Sequence, residues 1–245
     1  MQITELKNDS NRVLVSKTNR NKVISDKIKP PLPNKCFTAI VSGSPNSGKS
    51  CLVTSLIKRQ YRKCFHSVII VMPPTSRSCF EHSVIEHADP EKVFDELNED
   101  TCDDIHDIIV KTRDEGEEEG TNYYTLLVLD DIQHSLRNKE VEKKLRGWLA
   151  NYRHLNLCVL CCVQSYISLS KPCRGLFRCL FQFATPNRKE LGRLHEEWCG
   201  ALTPEQFRKL FAYVFDKKHN FIFIDRQDNI FAKNFNKLKL SMPEP

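Results

Sequence analysis

The sequence feature that most constrains the fold is an eight-residue loop, GSPNSGKS at residues 43–50, which follows a short apolar run. It matches the pattern G-x-x-x-x-G-K-[ST] of a phosphate-binding loop. Such a loop joins a strand to a helix, and here a predicted strand, Thr38–Ser42, precedes it while apolar residues at helical spacing follow. The alternative is an ordinary strand-to-helix turn without a ligand. Either way, the segment predicts an α/β sheet.

The residue types in the loop suit a polyphosphate. Gly43 and Gly48 permit backbone conformations closed to residues with a β-carbon, so that successive N–H groups turn inward and form an anion site. The N-terminus of the following helix adds partial positive charge. Lys49 is expected to reach the β- and γ-phosphates of ATP, and the Ser50 hydroxyl to coordinate Mg²⁺. The predicted nucleotide-binding residues are Gly43, Ser44, Pro45, Asn46, Ser47, Gly48, Lys49, Ser50 and Cys51.

Two adjacent carboxylates, Asp130 and Asp131, follow the apolar run Tyr124–Leu129, which is predicted to be a strand buried on both faces. Ligands of open α/β sheets bind at the carboxyl ends of the strands. Asp130 is therefore expected to hold the Mg²⁺ shell, and Asp131 to accept a hydrogen bond from an attacking water. The alternative is that the pair caps the helix that follows.

The next buried strand, predicted at Leu157–Val163, has a polar residue on either side. Gln164 follows it and is expected to hydrogen-bond the γ-phosphate or the water. Arg153 precedes it and is a candidate for an arginine finger that reaches the nucleotide of a neighbouring subunit. Other candidates for that role are Arg146, Arg174 and Arg178.

The 245 residues suffice for one sizeable α/β domain and are few for two. Residues 1–35 are polar and basic, end in a proline segment and are interpreted as an N-terminal arm. Residues 36–236 are the predicted P-loop domain, and residues 237–245 a C-terminal tail. The predicted fold is a mostly parallel central sheet, flanked by helices and closed by a C-terminal β-hairpin at 219–235.

Between the strands, apolar spacing predicts helices at 102–113, 135–152 and 188–198. The segment DEGEEEG, at 114–120, is predicted to be a solvated charged loop. Thr203 and Gln206 flank Pro204 in the pattern of a capping box, which predicts a further helix.

Charge is unevenly distributed along the chain. The formal net charge is +6, yet residues 81–119 hold 16 acidic against 3 basic residues, so that the remainder carries +19. The basic charge of the residues outside 81–119 suits a polyanionic partner, although a merely solvated basic surface is an equal alternative. The odd number of cysteines, 11, predicts a reducing, intracellular setting, with the lone C-x-x-C at Cys158 and Cys161 as buried thiols. No apolar stretch reaches the length of a membrane span.

As a set, these motifs resemble the genome-packaging ATPases of large DNA viruses, poxviruses, virophages and Polinton-type transposons, in the FtsK-HerA superfamily. The resemblance rests on GSPNSGKS after a strand, LLVLDDI, RHLNLCVLCCVQSY and the closing FIFIDRQDNIFAKNF, and it covers about residues 36–236. Much of the superfamily has Asp-Glu where this chain has Asp130-Asp131, so the shorter Asp131 is a departure at the position of the catalytic base. No nuclease domain is found in the sequence.

The resemblance implies an additional-strand, RecA-like P-loop fold and a homo-oligomeric ring, pentameric or hexameric, around double-stranded DNA. It implies ATP- and Mg²⁺-driven translocation of that DNA into a preformed capsid, with capsid vertex proteins as further partners. The setting would be the host-cell cytoplasm, a viral factory or the virion. The family's roles carry over to Lys49 for the nucleotide, Ser50 and Asp130 for magnesium, Asp131 for water activation, Gln164 at the strand end and Arg153 as the finger.

Two other classes of function remain open at the level of sequence. A nucleoside or nucleotide kinase could use the same core, but it would need an acceptor pocket and an arginine-rich lid. An ATP-binding, DNA-associated scaffold would bind nucleotide without turnover. A GTPase is disfavoured because no NKxD-type motif reads the base.

Overall fold

The computed structural model describes residues 23–76 and 88–240, in which nine strands form one sheet. Predictions for residues 1–22, 77–87 and 241–245, which include parts of the arm, the acidic stretch and the tail, lie outside the described residues. The strands are β1 (Thr38–Ser42), β2 (Ser67–Val71), β3 (Val93–Phe94), β4 (Thr125–Asp130), β5 (Leu157–Val163), β6 (Cys179–Phe183), β7 (Phe221–Asp225), β8 (Ile230–Lys233) and β9 (Asn236–Lys237).

Six α-helices connect or flank these strands. They are α1 (Lys49–Ser55), α2 (Glu99–Glu118), α3 (Lys139–Asn151), α4 (Lys171–Arg174), α5 (Arg188–Trp198) and α6 (Pro204–Val214). Helix α1 continues in wider π-type turns through Leu56–Gln60. Short 3-10 turns lie at Pro90–Lys92, Ser135–Arg137 and Tyr166–Ser168.

The strand order is β3-β2-β4-β5-β1-β6-β7-β8-β9. The first six strands in that order run parallel, and β7, β8 and β9 are antiparallel to their neighbours. Strand β5 lies between β1, which leads into the phosphate loop, and β4, which ends in the acidic pair. This inserted strand is the additional-strand arrangement of P-loop ATPases, so the predicted fold class, with its C-terminal hairpin, is confirmed.

The central strands are buried along nearly their whole length, as their continuous apolar sequences predict. The ring of Phe37 and residues such as Ile40, Leu127 and Val159 form one core with the helices on both sides. Because both faces of the sheet are covered, polar residues of these strands lie mostly at the strand ends. Cys158 and Cys161 are buried in β5, as predicted.

Helix α2 differs from the prediction. It extends to Glu118, so the predicted charged loop at 114–120 is wrong for most of its length. Gly120, with φ +69°, ends the helix in the left-handed conformation, while Gly116 packs so closely on Tyr123 that a Cβ would lie 2.7 Å from its backbone nitrogen. The acidic side chains of the last turns face solvent, which allows the helix to continue despite the unfavourable dipole.

The hairpin of β7 and β8 is fastened to the parallel sheet by a buried ion pair. Arg178, just before β6, donates from Nη2 to Asp225 at 2.6 Å and to Asp228 at 2.6 Å. Asp225, at the end of β7, also accepts from the backbone N–H of Gln227 at 3.0 Å. The pair lies at the amino end of β6, opposite the edge at which β1 and β4 end.

The last part of the predicted arm packs on the domain. Ile28 and Leu32 are buried in the common core, and the hydroxyl of Tyr61 donates to the carbonyl oxygen of Pro33 at 2.9 Å. The hydroxyl of Tyr124 donates to the carbonyl oxygen of Val23 at 3.2 Å. In the described part of the chain, no helix combines the length and the apolar character that crossing a bilayer would require.

Candidate active site

A cleft of about 780 Å³ lies at the carboxyl edge of β1, β4, β5 and β6. The phosphate loop forms one wall, the acidic pair and Gln164 form the second, and aromatic side chains form the third. The cleft is lined by Pro45, Asn46, Gly48, Lys49, Ser50, Cys51, Leu52, Ser55, Ser76, Asp130, Asp131, Cys162, Val163, Gln164, Phe183, His219, Phe221 and Phe235. The sheet topology thus brings together side chains that are far apart in sequence.

The loop that follows β1 requires glycine at two positions. A Cβ on Gly43 would lie 2.5 Å from Oγ of Ser47 and 2.8 Å from Cβ of Phe183, closer than side chains pack. Gly48 has φ +109°, a conformation that strains residues with a side chain, and it directly precedes α1. The N-terminus of α1 therefore lies at the cleft, where the phosphate-loop prediction places it.

Lys49 folds back on its own loop. Its Nζ donates to the carbonyl oxygen of Gly43 at 2.6 Å and to that of Ser44 at 3.1 Å. Its charge also lies close enough to Asp130 to lower the pKa of that carboxyl, against the larger effects of burial and of Asp131. An arriving phosphate would offer Nζ a charged acceptor in place of the two carbonyl groups.

Asp130 and Asp131 have different surroundings. Asp130 is the last residue of β4, and burial, together with the negative charge of Asp131, raises its pKa to about 6. Asp131 leaves the strand with φ +52°, and its backbone N–H donates to the carbonyl oxygen of Cys162 at 3.3 Å. A positive φ is uncommon outside glycine, although aspartate adopts it more readily than most residues.

Two glutamine side chains hold the carboxylate of Asp131. Nε2 of Gln164 donates to Oδ1 at 3.4 Å, and Nε2 of Gln133 donates to the same oxygen at 3.5 Å. Gln164 follows β5, the neighbour of β4 in the sheet, which explains how a residue 33 positions away reaches Asp131. Gln133 was not predicted from the sequence, since a glutamine in the turn after β4 carries no pattern of its own.

The oxygen donors in the cleft suit magnesium. Among the described residues no group of three or more His, Cys, Asp or Glu side chains converges on one point, as a cage for a transition metal would require. Mg²⁺ instead takes one or two protein oxygens and completes its shell with water and phosphate. The Ser50 hydroxyl and the Asp130 carboxylate, which both line the cleft, provide that number.

The third wall of the cleft comes from the antiparallel part of the sheet and was not predicted. Phe221 lies between Phe183 and Phe235, with ring centroids 5.6 Å and 5.4 Å away. Nδ1 of His219 lies 3.0 Å from the carbonyl oxygen of Ser47, to which its N–H can donate. Sequence reasoning placed His219 in a strand, but it has φ +67° and precedes β7 in a turn.

Arg153 lies apart from these residues, at the amino end of β5, while Gln164 lies at its carboxyl end. The seven residues of that strand span about 23 Å, so Arg153 cannot reach the cleft of its own subunit. Its guanidinium is exposed at the sheet edge and donates to Oε1 of Gln227 at 2.8 Å and to Oη of Tyr152 at 2.9 Å.

The other candidate arginines differ in how firmly they are held. Arg174 makes two hydrogen bonds to Glu197, at 2.9 Å and 2.8 Å, and Arg178 is paired with Asp225 and Asp228. Both are nearly buried, so a role at a neighbouring subunit would cost them carboxylate partners. Arg146 is exposed on α3.

Several solved structures share this architecture. The genome-packaging NTPase B204 of Sulfolobus turreted icosahedral virus 2, in complex with AMP, matches with a TM-score of 0.59 and 16% identity, over 83% of this chain and 98% of its own. The DNA-packaging ATPase B204 of Sulfolobus turreted icosahedral virus matches with a TM-score of 0.60 and 15% identity, over 83% and 98%. These likenesses establish the fold.

A bacterial ATPase shows the same fold within a longer chain. EssC (ATPases 2 and 3) of Geobacillus thermodenitrificans matches with a TM-score of 0.57 and 13% identity, over 82% of this chain and 39% of its own. No protein-family model and no curated protein sequence matches the chain. The fold is therefore shared with ATPases of viral and bacterial origin, at sequence identities of 13–16%.

Proposed function

We propose that this protein is a Mg²⁺-dependent ATPase that drives double-stranded viral DNA into a preformed capsid. The observation that carries the proposal is the single cleft in which Lys49, Ser50, Asp130, Asp131 and Gln164 converge. The viral packaging ATPases that share this fold over nearly their whole length support the proposal.

The residues that converge in the cleft have distinct chemical tasks. Backbone N–H groups of the phosphate loop and Nζ of Lys49 bind the phosphates. Ser50 and Asp130 would hold Mg²⁺, which supplies charge neutralisation at the β- and γ-phosphates when bound. Asp131 accepts from an attacking water, and the bond from Gln164 to its Oδ1 fixes the carboxylate for that task.

Arg153 and the charge distribution support an oligomer acting on DNA. An exposed arginine at the edge of the sheet opposite the cleft can reach only another subunit's nucleotide, as a finger in a homo-oligomeric ring would. The net charge of +19 outside residues 81–119 suits a duplex DNA partner. The setting proposed for this activity is the infected cell or the virion, with the capsid vertex as docking partner.

ATP hydrolysis by wild type, Lys49→Ala and Lys139→Ala, measured with and without duplex DNA and with and without EDTA, tests the proposal. Lys139 is an exposed lysine at the start of α3 and serves as the control. We expect DNA-stimulated hydrolysis in wild type and Lys139→Ala, and none in Lys49→Ala or in EDTA. Full hydrolysis by Lys49→Ala would refute the proposal. Nucleotide binding without turnover would favour a scaffold, and phosphoryl transfer to a nucleoside a kinase.

A further inference from the structure

Glu190 is a buried carboxylate beside the cleft that neither nucleotide binding nor the ion pairs of the described residues account for. It is 3% exposed and occupies the third position of α5, after the N-cap Asn187. A buried carboxylate is costly unless hydrogen bonds or a cation compensate for lost hydration. Its surroundings therefore indicate what the side chain does.

Three donors from two different loops converge on this carboxylate. The backbone N–H of Tyr166 donates to Oε1 at 2.5 Å, and Oγ of Ser165 donates to the same oxygen at 3.0 Å. Oγ1 of Thr185 donates to Oε2 at 2.5 Å. The N-terminal end of α5 adds its partial positive charge. Glu190 thus joins the loop after β5 to the loop after β6.

These two loops flank the phosphate loop, since β5 and β6 are the neighbours of β1 in the sheet. Ser165 directly follows Gln164, and Phe183 at the end of β6 contacts the phosphate loop at Gly43. A carboxylate that fixes both loops also fixes the distance between Gln164 and the phosphate loop.

The loop after β5 is fastened to α5 at a second point. Nε1 of Trp198 donates to Oη of Tyr166 at 2.8 Å, and that hydroxyl also bonds to Glu197. Gln164 itself is exposed and touches Asp131 only through a long hydrogen bond of 3.4 Å. The backbone next to Gln164 is therefore much more firmly held than its side chain.

We propose that Glu190 is a positioning residue, which holds the backbone of the Gln164 loop so that Gln164 stays in reach of Asp131 during hydrolysis. The inference rests on the proposed ATPase function. Small displacements of a catalytic group can cost about 100-fold in rate. Holding the loop in place can therefore compensate for the cost of burying the carboxylate of Glu190. Glu190 is not among the residues that line the cleft, and it acts through Gln164.

The test measures kcat and the affinity for a non-hydrolysable ATP analogue with Mg²⁺ in Glu190→Gln, in wild type and in Glu196→Gln. Glu196 lies on the same helix, is exposed and pairs only with its neighbour Arg193 in the described structure. In Glu190→Gln we expect kcat to fall about tenfold, while the affinity changes less than about twofold. The control should match wild type.

A double variant separates positioning from a general structural role. If Glu190 acts through Gln164, the change Glu190→Gln should lower kcat less than about twofold in a Gln164→Ala background. An equal loss in both backgrounds, or an unchanged kcat in Glu190→Gln, would overturn the proposal. Thr185→Val removes a single donor and should shift kcat in the same direction, which decides the matter should Glu190→Gln not fold.

Hydrogen exchange distinguishes failure of this proposal from failure of the proposed function. The amide of Tyr166 should be protected in wild type and exchange faster in Glu190→Ala, which removes the acceptor oxygen that a glutamine would keep. If wild type hydrolyses no ATP, the proposed function fails, whereas the exchange measurement still reports on the Glu190 contact. Equal protection of that amide in both proteins would overturn the role of Glu190.

Discussion

Gln164 donates a hydrogen bond to Oδ1 of Asp131 across 3.4 Å, although the two residues follow different strands. The bond engages Oδ1 of the carboxylate, and in the proposed mechanism Oδ2 would accept from water. Because the strands β4 and β5 are neighbours in a rigid parallel sheet, the relative position of these side chains follows from the sheet. The contact gives Asp131 a defined orientation even though it is one methylene shorter than glutamate.

Removing that contact should reduce turnover without reducing nucleotide binding. In Gln164→Ala and Asp131→Asn we expect kcat to fall about 100-fold or more. In Asp131→Asn the attacking water loses its proton acceptor, and in Gln164→Ala the carboxylate of Asp131 loses its orientation. The affinity for a Mg²⁺–ATP analogue should stay close to wild type, since the phosphate loop is intact. Single-turnover hydrolysis and calorimetric binding check the two parts. A loss of affinity equal to the loss of kcat would contradict the assignment.

The pKa of Asp130 predicts how the metal-free protein responds to pH. Because burial and Asp131 raise this pKa to about 6, above an unfolded value of about 4, the folded state binds the proton more tightly. The contribution of Asp130 to the free energy of unfolding therefore falls as pH rises from about 4 to about 6, and stays low above that.

Asp130→Asn should accordingly stabilise the metal-free protein at pH 7, by up to about 3 kcal/mol. The gain should shrink toward pH 4, where the wild-type carboxyl is protonated in both states. Urea unfolding in EDTA at several pH values measures this, with Asp104→Asn on the exposed face of α2 as control. A gain that is the same at pH 4 and pH 7 would show that charge is not its source.

The ion pair between Arg178 and Asp225 should be important for stability. Asp225→Ala leaves a nearly buried guanidinium with only the half-exposed Asp228, so we expect a loss of about 3–5 kcal/mol in the free energy of unfolding. Glu205→Ala breaks the exposed pair with Lys209 and should change the free energy of unfolding much less, because solvent screens that pair. Urea denaturation of both variants gives the comparison. Equal losses in the free energy of unfolding would mean that the buried ion pair is no more important for stability than the exposed one.

Mixing two inactive variants tests whether Arg153 acts across subunits. We expect Arg153→Ala and Lys49→Ala to be inactive alone, because each lacks one half of every shared site. In mixed oligomers, a Lys49→Ala subunit can present its Arg153 to the intact phosphate loop of an Arg153→Ala subunit, and part of the ATPase activity should return. Mass measurement confirms that mixed oligomers form. No recovery in such oligomers would exclude Arg153, and Arg146→Ala would then be examined in the same way.

The parts of the fold that the sequence predicted well are those in which local pattern and tertiary role agree. The bounds of β1, β5 and α5 match the predicted residues, because an uninterrupted apolar run or a capped amphipathic stripe has few alternatives. The predicted helix ended before α2 does because the acidic residues at its end suggested a loop. Gly120 was the better signal for the end of the helix. Strand β3, two residues long, has no pattern of its own and forms only by pairing with β2.

The same distinction applies to the residues of the candidate site. Lys49, in the phosphate-loop pattern, and Asp130, at the end of an apolar run, were predicted from the sequence, and both line the cleft. Glu190 was not, since a glutamate near a helix N-terminus is usually solvated, and only the convergence of two distant loops buries it. Phe235 and His219 line the cleft through the antiparallel hairpin, whose position beside the phosphate loop depends on strand order. Such residues follow from topology rather than from local sequence.

The position of β1 in the sheet also determines when the cleft can form during synthesis. Strand β1, at residues 38–42, pairs only with β5 at 157–163 and β6 at 179–183, so its hydrogen-bonding partners leave the ribosome long after it does. An emerging chain that already contains the complete phosphate loop therefore has no sheet to support that loop. Under the proposed function, nucleotide would be held only once most of the domain has been made, which would restrict ATP hydrolysis to finished subunits.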